Sequence, residues 1–71
     1  MKNKIREMRI SKGISQKKLA ETVGISRPYL AEIEKGSSAP GTPIALALAS
    51  ALDSTVEIIF SLNLSYEYDK T

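Results

Sequence analysis

The sequence has no cysteine and no histidine. The first absence excludes disulfides and thiolate metal sites. The second removes the commonest metal ligand and general base. No Gly-rich phosphate loop is present, the carboxylates are scattered, and Ser26 has no base to activate it. These gaps predict a protein that is not an enzyme and that uses no metal or cofactor. No apolar run approaches the roughly 20 residues needed to span a membrane. The basic opening Met1-Lys2-Asn3-Lys4 is not followed by an apolar signal core. The expectation is a cytoplasmic protein with no membrane partner. A chain of 71 residues makes one domain at most and buries little core. Small domains recruit disulfides, a metal or a second subunit. With the first two excluded, a homodimer is expected.

What is present is unevenly distributed. Residues 1–36 carry nine Lys or Arg against four acids, a net +5. Residues 37–71 carry only Lys70 against Asp53, Glu57, Glu67 and Asp69, a net −3. Such a basic half fits either a polyanion partner or a lopsided solvated surface.

The apolar spacing gives four helices. Ile5 and Met8 mark one over about residues 3–12, stopped by Gly13. Ser15 caps a second, with Leu19, Ala20 and Val23 inward, and Gly24 closes it. Ser26 caps a third, which tolerates Pro28 in its first turn, buries Leu30 and Ile33, and stops at Gly36. Ser37–Gly41 is a loop. Thr42 is expected to cap a fourth helix, with Pro43 at its first position, running to about Leu52. That helix is apolar around almost its whole circumference and must be buried on more than one side.

From Val56 to Tyr68 every even position is apolar. A period of two over thirteen residues favours a strand, with a short helix over residues 55–60 as the other reading. A lone strand leaves its backbone groups unpaired, so pairing with the same strand of a second subunit is expected. The organisation is then a mainly α, four-helix domain over residues 1–54 and a C-terminal dimerisation strand and tail over 55–71. Val56, Ile58, Phe60, Leu62 and Leu64 would form the dimer contact.

Residues 15–36, SQKKLAETVGISRPYLAEIEKG, read as helix, turn, helix. Ala20 is small where the third helix crosses, and Gly24 suits the left-handed turn. This segment resembles the lambda-repressor-like, or Xre-type, helix-turn-helix family of phage and bacterial repressors. Ile5, Met8 and Arg9 on one side, and Pro40 with Leu46–Leu52 on the other, extend the resemblance over about residues 4–52.

The resemblance implies double-stranded DNA as partner and a transcriptional repressor acting as a homodimer on a palindromic operator. Helix 26–36 would be the recognition helix, with Ser26, Arg27, Pro28, Tyr29 and Glu32 at its DNA-facing side. Arg27 can make a bidentate contact to guanine or clamp a phosphate. Pro28 cannot hydrogen-bond and offers at most contact with a thymine methyl. Tyr29 lies against the sugar-phosphate backbone or a thymine methyl. Glu32 either accepts from cytosine or is a solvated charge. Gln16 would hydrogen-bond phosphate at the start of the second helix, where free N–H groups favour anions. Lys17, Lys35 and Ser37 are further phosphate candidates. The loop after residue 36 lacks the basic residues common in relatives, which predicts a shallower salt dependence than the charge of residues 1–36 suggests. Arg9 and Glu34 would form an internal ion pair between the first and third helices. The alternative implied function is an antitoxin that binds both its operator and a toxin protein, because a strand directly after Leu52 also occurs in such proteins.

Overall fold

The computed structural model describes residues 2–60, which form five helices. They are α1 (Ile5–Ser11), α2 (Gln16–Val23), α3 (Arg27–Lys35), α4 (Thr42–Ala51) and α5 (Val56–Phe60).

The caps explain most of the boundaries. Ser15 precedes α2 in an extended conformation, and its hydroxyl accepts from the Lys18 N–H at 3.0 Å. Ser26 does the same for α3, accepting from the Tyr29 N–H at 3.1 Å. Gly24 ends α2 at φ 85°, a left-handed conformation that fits glycine. One terminus differs from expectation. Gly41, not Thr42, occupies the cap position of α4, so Thr42 is the first helical residue and Pro43 the second. Pro43 remains within the turn whose N–H groups need no intrahelical partner. At the other end, Asp53 takes φ 54°, the Asp53 N–H reaches the Ser50 carbonyl at 3.1 Å, and the Ser54 N–H reaches that of Ala49 at 2.8 Å. This pair of bonds closes the helix as a Schellman motif without glycine.

The expected strand is corrected over its first five residues: Val56–Phe60 is a helix. Thr55 nucleates it, its hydroxyl accepting from the Ile58 N–H at 3.2 Å. Val56, Ile59 and Phe60 share the spacing i, i+3, i+4, so a helix gathers them on one face. Ile59 and Phe60 are buried and Val56 packs against the same core, whereas Ile58 is 53% exposed. The rest of the expected strand, with Leu62 and Leu64, lies outside the described residues. The dimer-spanning sheet therefore has no counterpart among the described residues.

One core holds all five helices: Ile5 from α1, Leu19 and Ala20 from α2, Leu30 and Ile33 from α3, Ala45, Leu48 and Ala49 from α4, then Leu52, and Ile59 and Phe60 from α5. Helix α4 packs against both α2 and α5, which accounts for burial on two sides within one chain. Leu46 is the large apolar side chain of α4 left outward, at 58% exposure. Two tethers close α1 onto the rest. The Lys4 N–H donates to the Ile59 carbonyl at 2.7 Å. The Asn3 amide donates to the Ile33 carbonyl at 2.7 Å while its oxygen accepts from the Ile5 N–H at 3.1 Å.

Candidate nucleic-acid interface

The α2–turn–α3 unit presents its two helix starts on the surface. Ser15, Ser26, Arg27 and Pro28 are exposed, with Lys17 beside them. Because the Ser15 and Ser26 hydroxyls each satisfy one backbone N–H, the remaining first-turn donors of the two helices stay available to an anion.

Behind this edge runs a chain of side-chain contacts across three helices. Arg9 of α1 and Glu34 of α3 form an ion pair, Nε to Oε2 at 2.8 Å, with a second contact from Nη2 to Oε1 at 3.3 Å. Their side chains are only 11% and 5% exposed. Arg9 also donates from Nη1 to the Ile14 carbonyl at 3.1 Å, so most of its fork is used internally. Glu34 Oε1 accepts a further hydrogen bond from Gln16 Nε2 at 3.2 Å. Gln16 Oε1 in turn accepts from Arg27 Nε at 3.2 Å. Of the expected site residues, Arg9, Gln16, Arg27 and Glu34 are thus joined in one network.

The others are placed differently. Tyr29 is half-buried and packs against the hydrophobic core, which anchors its ring. Glu32 and Lys35 are exposed and approach each other at 3.8 Å, one turn apart on α3. Such an exposed pair contributes little to stability. Ser37 is exposed just past α3, its N–H donating to the Glu32 carbonyl at 3.0 Å.

A shallow cleft of ≈ 500 Å³ opens along this network, lined by Arg6, Arg9, Gln16, Arg27, Ala31, Glu34 and Lys35. Glu34 neutralises Arg9, which leaves Arg6, Arg27 and Lys35 as the exposed cations at its edge. Arg6 is absent from the residues singled out in the sequence. The available signal is its spacing: it stands three residues before Arg9 on α1 and so shares its face. No helix among the described residues is long and apolar enough to cross a membrane.

The helix-turn-helix family HTH_3 matches residues 5–59. The chain belongs to this family. Its match runs into α5 as far as Ile59, in keeping with the burial of that residue in the common core. A Bacillus subtilis HTH-type transcriptional regulator, YgzD, is 45% identical over 62 residues, covering 87% of this chain and 94% of that protein. The restriction-modification controller protein C.AhdI from Aeromonas hydrophila superposes with a TM-score of 0.73 at 38% identity, over 79% of this chain and 85% of that one. The fold is also similar to that in the SinR protein/SinI protein complex, with a TM-score of 0.75 and 27% identity over 93% of this chain and 68% of that one. This HTH_3 chain is accordingly a DNA-binding transcriptional regulator of the helix-turn-helix class.

Proposed function

We propose that the protein is a repressor that binds a near-palindromic operator in double-stranded DNA as a homodimer. The observation that carries this reading is the placement of Arg27: exposed at the first position of α3, held by a side chain from the start of α2, beside a cleft edged by Arg6 and Lys35. In this reading the N-terminal end of α3 enters the major groove. Arg27 reads a guanine edge, and Ser26 lies at the helix end beside the backbone. Pro28 contacts a thymine methyl, and Glu32 stands one turn further along the groove. Tyr29 is rigid through its core contact and meets sugar or methyl groups at its exposed rim. Gln16, Lys17, Lys35 and Ser37 contact phosphate and set the register.

Residues 1–54 supply the DNA-binding part and residues 55–71 the dimer contact. Among the described residues, Ile58 is the dimerisation candidate that faces outward, whereas Phe60 is 5% exposed and Val56 is half-buried. Two recognition helices roughly 34 Å apart then meet successive major grooves on one face of the duplex. Repression follows by occupying the site polymerase needs.

A second reading, a regulator that also holds a partner protein such as a toxin, is supported by the outward Leu46 and Ile58 and by the fold's likeness to that in a complex of two proteins. Its support from a strand immediately after Leu52 is gone, because residues 56–60 are helical.

The test is selection of bound duplexes from a random pool, followed by titration of the enriched site. The wild type enriches a two-fold symmetric motif. Arg27→Ala loses about 1–3 kcal/mol of discrimination at one base pair per half-site. An equal loss on every duplex makes Arg27 a phosphate contact instead, and enrichment of no motif rejects the operator reading.

A further inference from the structure

The Arg9–Glu34 pair has a third member that an internal brace does not require. Glu34 Oε1, already within 3.3 Å of Arg9 Nη2, accepts Gln16 Nε2 at 3.2 Å. A carboxylate only accepts hydrogen bonds, so the Gln16 amide must face it with its NH₂ group. That fixes the other end: the Gln16 carbonyl oxygen faces Arg27, where it accepts from Nε at 3.2 Å. With Nε engaged, the two terminal nitrogens of Arg27 have no hydrogen-bond partner among the described residues. Those two nitrogens form the parallel fork that matches guanine O6 and N7.

We propose that Glu34 is a specificity-determining positioning residue: through the enforced polarity of the Gln16 amide it holds the Arg27 guanidinium by Nε and leaves its terminal fork for one base edge. This rests on the operator reading above and deepens it. The carboxylate's burial matters here. At 5% exposure it meets little competing water, and the two contacts from Arg9 hold it in place. A neutral amide at position 34 removes the constraint, because it can donate or accept. Gln16 is then free to turn over, presenting NH₂ to Arg27, which has no acceptor to offer. Arg27 loses its anchor and samples its rotamers, at an entropic cost to any fixed base contact.

A purely structural ion pair and a positioning carboxylate predict different results. The test uses the full chain, the site enriched by the wild type, and duplexes carrying one altered base pair at the position Arg27→Ala identifies, all at one salt concentration. Gln16→Met leaves Arg9 and Glu34 paired and removes the relay together with the Gln16 phosphate contact, whose loss weakens every duplex alike. It lowers discrimination at that base pair by about tenfold, and the double variant Gln16→Met, Arg27→Ala discriminates no worse than Arg27→Ala alone. Glu34→Gln gives a loss at the same base pair and at no other, measured below its melting temperature. Should Glu34→Gln fail to fold, Gln16→Met carries the test alone. The proposal is overturned if Gln16→Met weakens binding to every duplex by one common factor while the preference at the Arg27 base pair stays intact. In that case Gln16 is a phosphate contact only. A wild type that enriches no sequence overturns the operator reading and this proposal together, so the two failures are distinguishable.

Discussion

Helices α1–α3 and helices α4–α5 are held by different forces. The first three share the hydrophobic core but are also tied by directional contacts: Arg9 to Glu34, Gln16 to Glu34, Arg27 to Gln16, and Asn3 to the Ile33 carbonyl. Between α4 and α5 the described residues show apolar burial, through Ala45, Leu48, Ala49, Leu52, Ile59 and Phe60, and no side-chain ion pair. Burial is non-directional and rewards area removed from water. Hydrogen bonds to a buried charge reward one geometry. The contrast teaches where precision is located: the polar half fixes the aim of one guanidinium, while the apolar half is held by burial alone and leaves Leu46 and Ile58 outward.

The sharpest way to break this contrast is to remove each half's central group. Glu34→Ala strands the Arg9 guanidinium, which is 11% exposed, and is expected to cost about 3–5 kcal/mol. Leu48→Ala empties a fully buried site in α4 and is expected to cost about 2–5 kcal/mol. Each is a large part of the total stability of so small a domain. Urea unfolding followed by circular dichroism measures both. A Glu34→Ala cost below about 1 kcal/mol would mean that the pair is solvated, and the division between the halves would fail.

The two halves also stop helices differently, and substitutions there should have opposite signs. Gly24 ends α2 at φ 85°, and an added Cβ would meet nothing within 4 Å. Gly24→Ala therefore carries only backbone strain, a loss of about 1–2 kcal/mol. Asp53 ends α4 at φ 54° with no glycine to relieve it. Asp53→Gly removes that strain but adds unfolded-chain entropy, leaving a net gain of up to about 1 kcal/mol. Thermal melts read both, and a stabilising Gly24→Ala would show that the turn relaxes.

These differences also decide what could be read from the chain beforehand. Helices α1–α4 were legible because glycine and serine punctuate them and because Leu19, Leu30 and Ile33 repeat at helical spacing. Over α5 the same residues satisfy two periods. Val56, Ile58 and Phe60 alternate like a strand, while Val56, Ile59 and Phe60 fit a helix. Over five residues periodicity alone does not separate the two. Burial of Ile59 against α4, a long-range fact, separates them. Arg9 with Glu34 was legible through the family resemblance. Gln16 as their third partner was not, because a hydrogen bond across 18 positions leaves no local pattern. The same holds for Arg6, which reads as one more surface cation until α1 is laid beside Arg27 and Lys35.

The smallest expected effects lie on the exposed cations, where the folded protein barely registers a change. Lys17→Ala and Arg6→Ala each alter stability by less than about 0.5 kcal/mol. Their readout is the salt dependence of DNA binding. Each phosphate contact releases condensed counterions, so removing one lowers the slope of log affinity against log salt by about 1. The loss should be the same on the enriched site and on an unrelated duplex, unlike that of Arg27→Ala. Glu57→Gln on α5 serves as the control from the other half and should leave the slope unchanged. A slope unmoved by Arg6→Ala would confine the DNA face to the α2–α3 edge. A slope moved by Glu57→Gln would place part of that face on the apolar half and dissolve the distinction between the two.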